Sequence, residues 1–249
     1  MTGLARRALA EFVGTAFLVA AVVGSGIAAR RLLPGDVGLQ LLVNSLVTGG
    51  ALVALILALQ PVSAAFNPVV TLVERALGAV GSPDAAVLIA AQVSGGILGT
   101  ILANLMFNLG AVTLSTHHRS GSGIWLGEVI ATLGLLVVIF GTLRSGRTSQ
   151  VAYAVGGYIL AAYWFTSSTS FANPAVTIAR MFSNTFAGIA PASVAAFVGM
   201  QLLGGAIGYA LIRGLYPNAA VLAAEVSRHT PARAAAAPSD SAPAGEAVR

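Results

Sequence analysis

Two glutamates stand inside long apolar runs of the sequence, where a carboxylate is costly and usually has a defined task. Glu11 and Glu128 each open a Glu-x-x-x-Thr pattern, which places threonines at Thr15 and Thr132. A carboxylate in such a setting either relays protons or accepts hydrogen bonds from buried N–H groups. We expect the second role, in which each carboxylate holds an irregular segment of backbone in place. A proton relay is the alternative.

The dipeptide Asn-Pro occurs in two similar segments, Ser63-Ala-Ala-Phe-Asn-Pro-Val-Val-Thr-Leu and Ser170-Phe-Ala-Asn-Pro-Ala-Val-Thr-Ile. Asparagine caps helices and proline suits the first helical position, so each pair predicts a helix start. The stretches that follow, roughly 67–78 and 173–183, are too short to cross a bilayer. We therefore predict two half-helices that begin at Asn67 and Asn173, with side-chain amides offered to a polar solute.

The remaining reactive residue types form no catalytic or metal-binding pattern. The chain has no cysteine, which excludes a disulfide framework, a thiolate nucleophile and a zinc–thiolate site. His117 and His118 lie together in a polar connection without carboxylate neighbours, so we expect a solvated loop, with a metal site as the alternative. Neither His-Glu-x-x-His nor Gly-x-Ser-x-Gly occurs. The sequence predicts no enzyme, no metal and no cofactor.

The composition indicates where these residues lie. Hydrophobic residues make up 57% of the 249 residues and charged residues 8%, against about a quarter charged in a soluble domain. So few charges cannot wet the surface of a soluble globule. We predict an integral membrane protein in contact with the lipid bilayer. This excludes a soluble enzyme and, despite the net charge of +5, a protein that binds nucleic acid.

Six apolar runs approach the ~20 residues that a helix needs to cross the hydrocarbon core: about 8–28, 38–59, 85–109, 123–143, 150–166 and 191–213. The first run is too long for a signal peptide and contains Glu11, so we expect it to be retained. The fifth is short and needs a polar flank. Six spans put both termini on one side, and the excess of arginine there favours the cytoplasm. We expect a multi-pass protein of the inner (plasma) membrane.

Three sequence patterns recur in the same order: Glu-x-x-x-Thr, Asn-Pro, and a glutamine followed by paired glycines. Gln92 precedes the first glycine pair and Gln201 the second. The two halves, about 8–110 and 122–217, hold three spans each and must therefore lie in opposite orientations, as in an inverted repeat. They form a channel unit of residues 1–217. The Ala-, Pro- and Ser-rich residues 218–249 are predicted to be a disordered tail.

Opposed repeats bring the starts of the two half-helices together near the middle of the membrane. Irregular backbone at that depth must line a cavity or lie inside the protein. The positive ends of both helix dipoles then point at this centre and oppose the passage of cations and protons.

The doubled motif consists of two tripeptides, Asn67-Pro68-Val69 and Asn173-Pro174-Ala175. It resembles the aquaporin (major intrinsic protein) family over about residues 8–217. The resemblance implies an all-α membrane protein with six transmembrane helices and two re-entrant half-helices, one pore per protomer and a homotetramer. It also implies passive conduction of water or small neutral solutes. The residues that would support the loops are Glu11, Glu128, Gln92 and Gln201.

Counted from the asparagines, the four filter positions of the family fall at Val47, Ala161, Ser170 and Val176. The first two are counted across loops of variable length, which allows a shift of one residue. Most members have an arginine where Val176 stands, and an aromatic or histidine side chain in the ring. We therefore expect a wide constriction in which Ser170 carries the one side-chain hydroxyl.

Arg180 follows Val176 by about one helical turn. We expect it at the outer mouth, where its charge opposes cations without narrowing the constriction. An ordinary interfacial arginine is the alternative.

The run from Thr169 to Arg180 is similar to that of bacterial aquaporins linked to arsenic-resistance genes, the aquaporin S group. This resemblance implies passage of methylated or organic arsenicals besides glycerol-like solutes and water. We predict a passive channel for small neutral solutes. The alternatives are a general glycerol/water facilitator, an ion-coupled secondary transporter and a structural junction protein with a closed pore.

Overall fold

Every regular element within residues 3–216, the part of the chain that the computed structural model describes, is a helix. Six helices are long: α1 (Gly3–Leu32), α2 (Val37–Leu59), α4 (Ser82–Met106), α5 (Ser122–Arg144), α6 (Val151–Phe165) and α8 (Pro191–Leu215). Two are short: α3 (Pro68–Ala76) and α7 (Pro174–Arg180). A 3-10 turn at Thr148–Gln150 leads into α6.

This architecture agrees with the predicted fold of six spans and two half-helices. Five of the long helices are long and apolar enough to cross a membrane, whereas α6, at 15 residues, is shorter. The fifth apolar run was predicted to be the short one for the same reason. The predicted tail, 218–249, lies outside the described residues.

The helices pack as two equivalent triplets. Helix α1 packs against α2 and α4, and α5 packs in the same way against α6 and α8, while α2 and α6 join the two halves. Each half-helix also contacts the last helix of the other half, α3 with α8 and α7 with α4. Helices α1 and α8 have their free ends on one side of the molecule, the terminus side. The opposite side is the far side, and by this topology α3 lies in the terminus-side half and α7 in the far-side half.

Glycines bring the backbones of the paired long helices into contact. A Cβ atom on Gly95 of α4 would lie 2.2 Å from the carbonyl oxygen of Phe12, and one on Gly204 of α8 would lie 2.5 Å from that of Val129. No other residue fits at these two crossings. The small residues of the paired-glycine motifs therefore serve close helix packing, as is common in membranes.

Apolar side chains cover the outside of the bundle and polar side chains lie inside it, which is the reverse of a soluble protein. Large apolar side chains such as Phe17 and Leu126 are exposed on the outside of the bundle. Glu11, Glu128 and Gln201 are completely buried. The apolar exterior fits a lipid surrounding, and the buried polar groups lie where the two half-helices are held.

Candidate solute pathway

Each half-helix starts with an asparagine cap and a proline at the first helical position. The Asn67 Oδ1 atom accepts a hydrogen bond from the Val69 N–H at 2.9 Å. The Asn173 Oδ1 atom accepts from the N–H groups of Ala175 at 2.9 Å and Val176 at 3.3 Å. These bonds satisfy N–H groups that a helix start leaves unpaired.

The two asparagines also tie the half-helices to each other. The Asn67 Nδ2 atom donates to the carbonyl of Ala172 at 2.7 Å, and the Asn173 Nδ2 atom donates to the carbonyl of Phe66 at 2.7 Å. Phe66 and Ala172 both adopt a left-handed backbone, with φ of 48°. Since an amide NH₂ group has two hydrogens, each asparagine keeps one donor for a passing solute.

Glu11 holds the loop that precedes α3. Its carboxylate accepts hydrogen bonds from the N–H groups of Ala65 at 2.9 Å and Phe66 at 2.7 Å, and from the Ser63 hydroxyl at 2.5 Å. Gln92 donates to the same carboxylate at 2.8 Å. Both oxygens are engaged and the side chain is completely buried, a geometry suited to loop support and not to a proton relay.

Glu128 repeats this arrangement in the second half. Its carboxylate accepts from the N–H groups of Phe171 and Ala172, each at 2.9 Å, and from the Gln201 amide at 2.6 Å. Gln201 also donates to the Thr177 hydroxyl at 2.8 Å, as Gln92 does to that of Thr71 at 2.9 Å.

Thr71 and Thr177 were not predicted as site residues, although both follow their asparagine at the same distance in the repeat. Thr15 and Thr132 stood out in the sequence instead. Their buried hydroxyls have no hydrogen-bond partner within residues 3–216.

A continuous cavity extends from the terminus side to the far side and is lined by both asparagines. Apolar side chains of the long helices form one wall: Leu18, Val22, Leu52, Ile56, Leu135, Ile139, Val155 and Ile159. The loop segments 63–66 and 170–172 lie along the other wall. The cavity is thus apolar on one side and polar on the other.

The polar wall presents backbone carbonyls. The N–H groups of Ala65, Phe66, Phe171 and Ala172 point at the two glutamates. In a trans peptide the carbonyl points opposite to the N–H of the same unit. The carbonyls of the residues just before these four therefore point away from the glutamates, toward the cavity.

Two of the predicted filter residues lie elsewhere. The side chain of Val47 is 40% exposed on the outer surface, and Ala161 is exposed as well. The neighbouring Thr48 and Tyr163 line the cavity instead, with their hydroxyl oxygens 3.1 Å apart. Thr48 is one residue from Val47 and Tyr163 is two from Ala161. Each residue turns a helical side chain by about 100°, so counting across the loops was not accurate enough.

Ser170 and Val176 do line the far-side part of the cavity, as the resemblance implied. Ser170 is nearly buried, and its Oγ atom has no hydrogen-bond partner among the described residues. On this side the cavity is therefore lined by Thr48, Tyr163, Ser170 and Val176, a more polar and bulkier set than the four predicted filter residues.

Arg180 also lines the cavity on this side. It is 2% exposed and holds its guanidinium carbon 3.4 Å from the centre of the Phe171 ring. Its Nε atom donates to the carbonyl of Ala187. Because helical side chains lean toward the N-terminus of their helix, an arginine one turn beyond Val176 reaches back along α7.

A second arginine approaches the same aromatic ring from the loop before α5. The guanidinium carbon of Arg119 lies 5.0 Å from the centre of Phe171, and its Nε atom donates to the carbonyl of Gly188 at 3.1 Å. Partial burial, followed by the charges of Arg119 and Arg30, lowers the pKa of His117 in this loop below its usual value. Near neutral pH His117 therefore adds little to the positive charge of Arg119 beside it.

The protein is similar to known membrane proteins in sequence and in fold. The major intrinsic protein family matches residues 2–151. The chain is 47% identical over 228 residues to "Aquaglyceroporin AqpS" of Rhizobium meliloti, covering 91% of this chain and 97% of that protein. It is 32% identical over 177 residues to "Aquaporin A" of Dictyostelium discoideum, covering 66% and 63%. The X-ray structure of the aquaglyceroporin from Plasmodium falciparum has a similar fold, with a TM-score of 0.67, 19% identity, and coverage of 88% of this chain and 99% of that one.

Proposed function

The chain belongs to the major intrinsic protein family of membrane channels, and from this premise we propose that it conducts small neutral solutes of glycerol size. Members of this family are channels, not enzymes. The observation that carries the proposal is the cavity between the two sides, apolar along one wall and lined by carbonyls and asparagine amides along the other.

Such a cavity suits a solute with an apolar face and a row of hydroxyl groups. The hydroxyls find acceptors in the loop carbonyls and donors in the free N–H of Asn67 and Asn173, while the carbon chain lies against Val22, Ile56 and Ile159. The 47% identity to a protein named as an aquaglyceroporin supports this class of solute.

Methylated and other organic arsenicals are the second proposed group of solutes. Val176 stands where most members have an arginine, and methyl groups fit the apolar wall. Trivalent arsenic, a soft centre, binds thiolates, and the sequence contains no cysteine that would capture it on the way. The likeness of residues 169–180 to arsenic-associated channels supports the same group.

Proteoliposome swelling tests the channel. In a glycerol gradient we expect fast, unsaturated uptake that does not depend on an ion gradient. Saturable uptake that needs a proton or sodium gradient would favour a secondary transporter, and no uptake would favour a junction protein. Uptake of methylarsenite by cells without other channels separates the arsenical channel from a glycerol/water facilitator.

We further propose that the terminus side faces the cytoplasm of the inner membrane and that four copies assemble. The excess of arginine on the terminus side supports the orientation. Exposed apolar side chains on the long helices, among them Leu102, Leu126 and Leu203, provide surface for contacts between copies or with lipid. Accessibility labelling of the terminus-side loops and mass measurement in detergent test these two points.

A further inference from the structure

Glu74 in the first half corresponds to Arg180 in the second. Each is the seventh residue after its cap, Asn67 or Asn173, and each lines the cavity. Because α3 and α7 run from the same meeting point to opposite sides, Glu74 lies at the terminus-side end of the cavity and Arg180 at the far-side end. The repeat thus places opposite charges at equivalent positions.

The Glu74 carboxylate faces the cavity without a direct partner. It is half-buried, and within residues 3–216 it makes no side-chain hydrogen bond or ion pair. Arg7 lines the same end of the cavity but makes no ion pair with Glu74. Its Nη1 atom lies 3.8 Å from Asp84, and the Arg75 Nε atom donates to Ser82 at 2.9 Å.

The rest of the cavity is electrostatically positive. The N-termini of α3 and α7 meet at its centre, and each contributes about half a positive charge. Arg180 adds a full charge on the far side. This distribution repels cations but attracts anions, so a channel that conducts glycerol needs a further means of excluding anions.

We propose that Glu74 is a specificity-determining residue that excludes anions at the terminus-side mouth. With Arg180 opposing cations at the other mouth, the channel admits the uncharged form of a weak acid and rejects its conjugate base. This inference rests on the proposed function, because it assumes that neutral solutes pass through the same cavity.

The full chain in planar bilayers at about pH 9, where a half-buried carboxyl is ionised, tests the proposal with chloride as the probe. We expect Glu74→Gln to raise chloride permeability about tenfold at low salt, which corresponds to ~1.4 kcal/mol. Glycerol flux in proteoliposomes should stay within about twofold of the wild type, since glutamine keeps the size of the side chain. Glu74→Asp keeps the charge and serves as the matched control, with wild-type chloride exclusion expected.

A second variant reaches the same mouth from another element. Thr148 lines the terminus-side part of the cavity, so Thr148→Lys should offset the charge of Glu74 and also raise chloride permeability. If Glu74→Gln still conducts glycerol and excludes chloride as well as the wild type does, the role of Glu74 is overturned. Absence of glycerol flux in the wild type would instead overturn the proposed function.

Discussion

Around α3 and α7 the two halves of the molecule share most of their hydrogen bonds. In each half a buried glutamate accepts two backbone N–H groups, a glutamine links that glutamate to a threonine of the half-helix, and an asparagine reaches across to the other half. The residues that face the cavity differ more. Glu74 corresponds to Arg180, and Phe66 corresponds to Ala172.

The comparison separates two demands on the sequence. Hydrogen bonding of an irregular loop inside a membrane allows few solutions, so both halves keep the same one. The cavity must exclude ions that arrive from two sides, and the residues that line it differ between the two halves. Four predictions test this division, and their expected effects are given from the largest to the smallest.

Removal of the loop-supporting carboxylate should lower the free energy of unfolding by a similar amount in either half. Glu128→Ala leaves the N–H groups of Phe171 and Ala172 and the Gln201 amide without their acceptor, at ~1–3 kcal/mol each. We expect Glu128→Ala to lower the free energy of unfolding by several kcal/mol, as measured by thermal unfolding in detergent. Glu11→Ala should lower it by a similar amount. Glu128→Gln keeps one acceptor oxygen and should lose less. A near wild-type melting temperature for both alanine variants would contradict the support role.

The packing beside each loop should be specific to its half. Gly14 and Ala131 both follow the supporting glutamate by three residues, and a Cβ atom on Gly14 would lie 2.0 Å from the Phe66 ring. We expect Gly14→Ala to cost ~1–3 kcal/mol in thermal unfolding.

The same change in a Phe66→Ala background restores the pair found in the second half, Ala131 with Ala172. There we expect Gly14→Ala to cost close to nothing. An equal cost in both backgrounds would show that the ring is not the reason for the glycine.

A bulky residue should obstruct the second half more than the first. Val70 and Val176 are both the third residue after their asparagine and both line the cavity. Val176 lies on the side that holds Tyr163 and Arg180, so we expect Val176→Trp to lower glycerol flux by about tenfold, equivalent to ~1.4 kcal/mol. Val70→Trp is the matched control and should lower it less. The reverse order in correctly assembled proteins would move the constriction to the terminus side.

Neutralisation of Arg180 should have the smallest effect, because the positive ends of the two half-helices still oppose cations when its charge is lost. We expect Arg180→Gln to raise potassium permeability about threefold in low-salt bilayers, under 1 kcal/mol, while chloride permeability does not increase. Arg180→Lys keeps the charge and should behave like the wild type. If potassium exclusion is unaltered, the helix dipoles alone exclude cations. Opposite ion preferences of Arg180→Gln and Glu74→Gln would establish the two residues as counterparts.

The half-helix starts could be predicted because their chemistry is local. An asparagine cap followed by proline indicates a helix start wherever it occurs, and a lone carboxylate in an apolar run must find N–H donors nearby. For the same reason the sequence alone indicated a loop-supporting role for Glu11, Glu128 and the two glutamines.

The lining of the far side could not be predicted in the same way. Whether Val47 or Thr48 faces inward depends on the rotation of α2, which is set by packing across the whole bundle. The position of Arg180 depends on the irregular segment 181–190, where Ala187 supplies the carbonyl that fixes it. Neither of these contacts has a short sequence signature.

The crossed asparagine bonds have a consequence for how the protein is made. When the first three helices have entered the membrane, the Asn67 amide and the Phe66 carbonyl still lack the partners that residues 172 and 173 provide. Exposure of such groups to hydrocarbon costs several kcal/mol. We therefore expect the first half-helix to reach its final depth only after the second has been synthesised and inserted, so that both re-entrant segments dock together in one late step.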